Sequence, residues 1–277
     1  SPMNGRVARG SALWIACALS IGCGAPRPRS VLLVTLDTVR ADHLGAYGGP
    51  PGLTPALDRL AAEGVLFEQA TAAAPLTLPS HATILTGLLP RRHGLRVNGG
   101  ARLDEAIPTL ATRLRSAGYR TGAFVAAAVL DHRFGLARGF EVYDDRIPRS
   151  PSSGGVDAER AGDAVVDAAL AWVAELRSEP FLLWVHLYDA HAPYEPPEPF
   201  RSRWSSRPYA GEIGFVDSQI GRLLAGLPST IASQTIVAVV ADHGEGLGEH
   251  GESTHGLLLY QSTLRVPWLL RGAGLAP

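Results

Sequence analysis

Lysine is absent from the chain: all 25 basic residues among its 277 are arginine. A Walker A phosphate loop, a Schiff-base lysine and a Ser–Lys dyad are therefore excluded. Cysteine occurs twice, at Cys17 and Cys23. Both lie in the N-terminal stretch, so the rest of the chain has no disulfide, no cysteine zinc site and no thiol nucleophile. Excess charge is missing too. The 26 acids nearly cancel the arginines, and a net charge of -1 offers no bulk attraction to nucleic acid. Neither HExxH nor GxSxG occurs, which removes zincin and serine-hydrolase readings. Gly246-Leu247-Gly248-Glu249-His250-Gly251 matches a dinucleotide fingerprint in form, but no helical pattern opens there. What is present, 46% hydrophobic and 18% charged residues, is ordinary for a globular protein and excludes a disordered tail or a coiled coil.

Residues 1–30 read as an address and tether. Arg6 and Arg9 precede an apolar run from Ala12 to Ile21, too short to span a bilayer, which takes about 20 residues. Ala16-Cys17-Ala18 fits a signal-peptidase site, and Leu19-Ser20-Ile21-Gly22-Cys23 resembles a bacterial lipoprotein box with Cys23 as the lipidated residue. Plain secretion, a lipid anchor and a retained anchor all stay open. The expected location is the periplasm or membrane of a bacterial envelope.

From residue 31 onward strands alternate with helices. Val31–Leu36, Thr121–Ala126, Phe181–Leu187, Thr235–Ala241 and Val266–Leu270 are apolar, β-branched runs of strand length. Helical patterns cover 56–63 behind Thr54-Pro55, then 79–86, 107–117, 158–179 and 209–227. Residues 149–155 read as an exposed Ser- and Pro-rich loop. The expectation is an α/β fold with a mainly parallel central sheet flanked by helices.

The polar clusters follow strand ends or open helices, where open α/β sheets place ligands. They are Asp37; Thr77-Leu78-Pro79-Ser80-His81; Asp189-Ala190-His191-Ala192-Pro193-Tyr194; and Asp242-His243-Gly244-Glu245 with His250 and His255 behind it. Carboxylates and imidazoles at strand ends are the materials of a divalent-cation site. Thr77, just before a Pro79-initiated helix, would face unpaired N–H groups and the positive end of the helix dipole. A hydroxyl beside a dication loses its proton readily and becomes a nucleophile. Plainer roles remain for each: Asp37 and Thr77 as helix caps, Asn98-Gly99 as a tight turn, His191 as a loop residue and His250 as a surface residue.

Val34-Thr35-Leu36-Asp37-Thr38-Val39-Arg40-Ala41-Asp42-His43-Leu44-Gly45-Ala46-Tyr47-Gly48, the segment around Thr77, Leu85–Leu88 to His93-Gly94, His191–Tyr194, Tyr209–Leu224, Ala241–Glu245 and His255 through Pro267 resemble, in that order, the bacterial sulfatase-like hydrolases of the alkaline phosphatase superfamily. The resemblance implies one catalytic domain over 31–277. It implies a cation (zinc, manganese, calcium or magnesium; one ion, with room for two) held by Asp37, Asp242, His243 and the Thr77 hydroxyl. Members of the family carry a further C-terminal subdomain, expected to be missing here. The departures matter as much. True sulfatases have Cys or Ser at the nucleophile position and oxidise it to formylglycine; Thr77 cannot form that aldehyde because its β-carbon bears a methyl group. Thr38 stands where the family has a second Asp, His81 where it has Arg, and His255 where it has a pocket lysine.

A threonine nucleophile with Asp and His ligands resembles the nucleotide pyrophosphatase/phosphodiesterase and phosphoethanolamine-transferase branches. In the former an Asn follows the Thr by about 20 residues, and Asn98 stands in that place. The expected activity is cleavage or transfer of a phosphate ester through Thr77, with Asn98, His191 and His255 as further catalytic residues. Asp189, His191 and His255 either form a second metal site or contact the substrate and leaving group. Two alternatives stay open: a sulfatase acting without formylglycine, and a non-catalytic, glycan-binding envelope lipoprotein of the same fold. The expected partner is a phosphorylated or sulfated small molecule, lipid or glycan.

Overall fold

The computed structural model describes residues 30–148, 158–177, 179–272 and 275. The proposed signal and lipoprotein-box residues, with Cys17 and Cys23, and the loop at 149–155 lie outside the described residues. Ser30, assigned above to the tether, is the first residue of β1.

The sheet comprises β1 (Ser30–Leu36), β2 (Val65–Leu66), β3 (Arg120–Phe124), β4 (Val142–Asp144), β5 (Phe181–Leu187), β6 (Thr235–Ala241) and β7 (Trp268–Arg271). Their order is β2-β7-β6-β1-β5-β3-β4. Every pairing from β6 through β4 is parallel, and β7 runs antiparallel to both of its neighbours. The central strands β1 and β5 are covered on both faces, which is why they read as unbroken apolar runs.

The helices are α1 (Pro55–Ala62), α2 (Thr77–Thr86), α3 (Pro90–His93), α4 (Leu110–Ser116), α5 (Gly162–Glu175), α6 (Phe200–Arg203), α7 (Pro208–Gly226), α8 (Ser229–Ala232) and α9 (Gln261–Leu264). Strand parity separates them. Gly122 and Leu183 are register partners and share a face, and the Trp172 ring of α5 fills the space over Gly122. Trp184 points the other way and meets His81 of α2. Thus α2 and α5 cover opposite faces, and α7 bridges α5 and α1.

The pattern over 158–179 overstates α5. Residues before Gly162 are extended: Glu159 bridges Ala127, and Arg160 N–H donates to Ala126 O at 2.8 Å. The helix begins where Asp189 Oδ1 accepts the Gly162 N–H at 2.8 Å. The helix expected over 107–117 opens later, at Leu110. Pro108 keeps Ile107 out of the helical region, and Thr109 caps the helix reciprocally with Thr112.

Thr54 occupies the cap position of α1 without capping it; its hydroxyl donates to Asp58. The capping falls to Asp217 of α7, whose two carboxylate oxygens accept the Leu57 and Ala56 N–H groups at 2.8 and 3.0 Å. Burial raises this carboxyl from 3.8 to about 6, against the pull of those two N–H groups. Below about pH 4 both native and unfolded chains hold the proton. Between the two values the native chain keeps a proton that the unfolded chain has released, so stability falls as pH rises through that window. Urea unfolding of Asp217→Asn from pH 4 to 7 is expected to show a flatter decline than the parent, by on the order of 2 kcal/mol. An unchanged difference between the two proteins at both ends would contradict this.

Candidate active site

Register builds the site. Leu36 pairs with Ala241 of β6 and with Leu187 of β5. The ladder runs one step further, with Asp37 N–H on Leu187 O at 2.9 Å and Asp242 N–H on Leu36 O at 3.1 Å. Two carboxylates thus emerge side by side from neighbouring parallel strands, both within 1% of complete burial. His243, fully buried, follows. Gly244 lets the chain cross closely over Ser262 and Thr263: an added Cβ would lie 2.0 Å from Ser262 O.

Asp37, Asp242 and His243 each bring one donor atom within 4.8 Å of the others. Asp37 Oδ1 and Asp242 Oδ2 are buried without a hydrogen-bond partner. His243 Nδ1–H donates to Gly244 O at 2.9 Å, which leaves its Nε2 lone pair facing Thr77 Oγ1 at 3.5 Å. Burial takes this imidazole down to about 4, so it is neutral near pH 7. Burial and the neighbouring Asp37 charge push Asp242 far up. Burial also acts upward on Asp37, but the His186 hydrogen bond, with His243 and His191, outweighs it and holds that carboxyl low. Two buried carboxylates, a neutral imidazole lone pair and a hydroxyl, with oxygens left unpartnered, are a donor set that fits a divalent cation. A second group, Asp131, His132 and Asp145, also lies within 4.8 Å. There His132 is exposed and already bonded to Asp145 at 2.6 Å.

Helix α2 starts at Thr77, two residues earlier than expected, with Leu76 in the cap position. Thr77 therefore sits in the first turn and is 2% exposed. Pro79 is tolerated because first-turn N–H groups have no helical acceptor. Asn98 is at the same helix start: its Oδ1 accepts the Leu78 N–H at 3.0 Å, leaving the side-chain amide N–H groups as its free donors.

His191 and His255 lie at the rim. The His191 ring stacks on Tyr188 at 4.4 Å and meets His255 edge-on at 5.2 Å. His255 stands 4.4 Å from the His243 ring and donates Nδ1–H to Glu245 Oε1 at 3.0 Å. Burial opposes its charging, but the Glu245 hydrogen bond and charge outweigh burial and raise it above its ordinary value.

Asp189 does not join them. Among the described residues, Asp189, His191 and His255 do not come within shared ligand distance, so the second site proposed from their spacing is not assembled. The reason is local. β5 ends at Leu187 and 189–191 form a turn, so two-residue alternation does not apply. Asp189 instead caps α5 and lines a separate cavity of about 520 Å³ with Glu159, Glu195 and Glu212. Burial raises Asp189 to about 6 and, with Asp189 beside it, Glu212 to about 8. His250 is exposed and stacked on Tyr260 at 3.6 Å, away from these groups.

Several contributors were given no role from sequence, although Glu245, Tyr194 and Tyr209 stand in the segments quoted above. Glu245, fully buried, accepts from both His255 and Tyr194, the latter at 3.1 Å. Tyr209 donates to Thr38 O at 2.6 Å and accepts the Arg40 N–H at 3.1 Å. His186, next to the C-terminal end of β5, contacts Asp37. A histidine inside an apolar strand was the available signal for it.

Residues 29–277 match the profile of the Sulfatase family. Human N-acetylgalactosamine-6-sulfatase is 30% identical over 269 residues, covering 81% of this chain and 51% of that protein. The Delta 4,5-hexuronate-2-O-sulfatase of Bacteroides thetaiotaomicron is 25% identical over 308 residues, covering 88% and 62%. The chain thus spans about half the length of the curated relatives it matches. Among solved structures, the phosphonate monoester hydrolase of Agrobacterium radiobacter superposes with a TM-score of 0.73 at 21% identity, covering 89% of this chain and 68% of that one. A 2-O GAG sulfatase superposes at 0.69 and 21% identity, covering 91% and 65%. The fold is shared with both, and with its profile match running from strand β1 to the end of the sequence, the chain belongs to the sulfatase family.

Proposed function

We propose that this sulfatase-family hydrolase cleaves a phosphoric ester with Thr77 as nucleophile and Asp37, Asp242, His243 and Thr77 as the ligands of one divalent cation. The observation that carries this reading is the buried Thr77 hydroxyl, 3.5 Å from the His243 Nε2 lone pair, at a position where formylglycine cannot form. A bound dication would favour the ionised hydroxyl and neutralise charge on the ester oxygens. Zinc or manganese suits one imidazole nitrogen among oxygen donors better than calcium does.

The chain's own groups divide the work. Thr77 Oγ1 forms a bond to phosphorus as the bond to the departing alcohol breaks, and its proton passes to water. The Asn98 amide donates to an equatorial oxygen, and the first turn of α2 offers its positive end. His255 has one ring nitrogen committed to Glu245, so Nε2 is the atom that protonates the leaving alkoxide. Water then cleaves the phosphothreonine, returning the hydroxyl and releasing phosphate. His191, held by its Nδ1–H on Ala192 O at 2.8 Å and by Tyr188, flanks the ester.

A second reading, attack of the same hydroxyl on a sulfate ester, is favoured by the relatives named for sugar sulfates. The substrate side of the proposal is accordingly an ester of a small molecule, lipid or glycan. The address in residues 1–30 would place the reaction in a bacterial envelope, with an anchor at Cys23 if the lipoprotein box is used.

Turnover of p-nitrophenyl phosphate, bis-p-nitrophenyl phosphate and p-nitrophenyl sulfate by the manganese- or zinc-loaded chain tests the two. Phosphate ester turnover and a phosphorylated Thr77 in acid-quenched peptides are expected. Thr77→Ala should lose at least about 10³-fold in kcat, while Thr77→Ser stays much closer to the parent. Sulfate release without phosphate release would overturn the first reading in favour of the second.

The cation itself is tested by unfolding. At about 100 times its dissociation constant a cation adds about 2.7 kcal/mol, or about 5–10 °C in a domain of this size. Chelator should remove that gain from the parent. Asp242→Asn should show no gain, while its cation-free form is at least as stable as the cation-free parent because a carboxyl kept from ionising by burial and by Asp37 is gone. Equal cation-induced shifts in both proteins would defeat the ligand assignment.

A further inference from the structure

Two fully buried histidines lie beneath the proposed cation site without belonging to its donor set, and their protonation can be read from their partners. His186 Nδ1 accepts the Ala126 N–H at 3.3 Å, so its proton is on Nε2, directed to Asp37 Oδ2 at 3.4 Å. For His81 the order is reversed. Trp184 Nε1–H donates to Thr35 Oγ1 at 2.9 Å, and the Thr35 hydroxyl then donates to His81 Nε2 at 2.9 Å. His81 Nδ1–H donates to Thr77 O at 2.8 Å and lies 3.4 Å from Asp242 Oδ2. The two rings pack edge to face at 4.8 Å. Register explains the meeting: Thr35 and His186 are paired across β1 and β5, so both face α2.

We infer that His186 and His81 are positioning residues, which fix the Asp37 carboxylate and the Thr77 turn as cation ligands through one N–H each. The inference rests on the cation site proposed above. The chain has no lysine, and neither ring contacts solvent. A neutral imidazole can hold a carboxylate's orientation without adding a permanent positive charge next to the cation, which a lysine or arginine would do. The outer link of the chain is Thr35: its hydroxyl is the donor that, among the described residues, keeps His81 Nε2 unprotonated and Nδ1–H aimed at Thr77.

The test reads cation binding, independent of turnover, by calorimetric titration of Mn²⁺ or Zn²⁺ into chelator-treated protein. His186→Leu and His81→Leu are expected to bind about 10- to 100-fold more weakly than the parent. His186→Gln places an amide N–H near the former Nε2, and His81→Asn places one near the former Nδ1; each should recover most of the loss. Thr35→Val, equal in shape, touches no ligand and should still weaken binding several-fold. If the leucine variants fail to fold, the amide variants and Thr35→Val decide the matter alone. Parent-like affinity in Thr35→Val and in both leucine variants would overturn the inference and leave the cation site standing. So would amide variants no better than leucine. A parent chain that binds neither ion would defeat the proposed cation site itself.

Discussion

Two buried carboxylates on adjacent parallel strands are the constraint around which the molecule is arranged. Neighbouring strands lie about 4.8 Å apart, and Asp37 and Asp242 follow partners in one register, Leu36 and Ala241. Neither can move away without shearing β1 from β6, whose residues there are buried. Like charges at such a separation in a poorly polarisable interior cannot both stay ionised without compensation. The opposed displacement of the two groups, Asp242 up and Asp37 down, is the signature of that conflict. A fold stable enough to hold it needs either a shared proton or a cation, and the unpartnered oxygens give either one a place.

Much of the surrounding structure keeps those strand ends in place. Thr38 adopts φ of 55°, a left-handed conformation unfavourable for a β-branched residue, and Tyr209 holds it through its carbonyl. Arg40 spans the loops after β1 and β6, with its guanidinium on Asp42, Glu249 and the Glu245 carbonyl. Glu245 then ties His255 to Tyr194. Strain at Thr38 and this cross-loop bracing belong together: a reversal directly after Asp37 is what turns the chain away while the carboxylate stays at the strand end.

The fold was legible because parallel strands buried on both faces write continuous apolar runs, and β5 and β6 fall on the expected residues. The short strands β2 and β4 were not, since two or three residues carry no period. Asp37, Thr77, Asp242 and His243 converge as their positions at strand ends and a helix start suggested, and Asn98, picked out only by its distance from Thr77 in the resembling branch, meets them at the start of α2. Asp189 does not, because the chain had already turned and alternation no longer governed it. His186 escaped notice for a related reason, and Glu245, though quoted in the strand-end cluster, was given no role. Their roles come from cross-strand register and from a loop folding back, and neither leaves a spacing in the chain. The start of α5 was misplaced because a residue distant in sequence, Asp189, meets the first helical N–H.

The substitutions relative to the family pattern share one electrostatic direction. The resemblance puts an Arg at His81, a pocket lysine at His255 and a second Asp at Thr38, whose hydroxyl here turns back to its own neighbour's carbonyl, Asp37 O, at 2.8 Å. This chain has at these three places groups that are neutral or that titrate, beside two strand-end carboxylates and a buried hydroxyl. On the function proposed above, attraction for the ester's anionic oxygens comes from oriented dipoles, the α2 terminus and the Asn98 amide, together with the proposed cation. Dipoles fixed by a rigid frame need no reorganisation as charge develops on the transferred group, which is the arrangement that best stabilises a transition state. The bracing of the strand ends, costly in strain at Thr38, is consistent with that demand: where few permanent charges remain to tolerate misplacement, the geometry has to be held tightly.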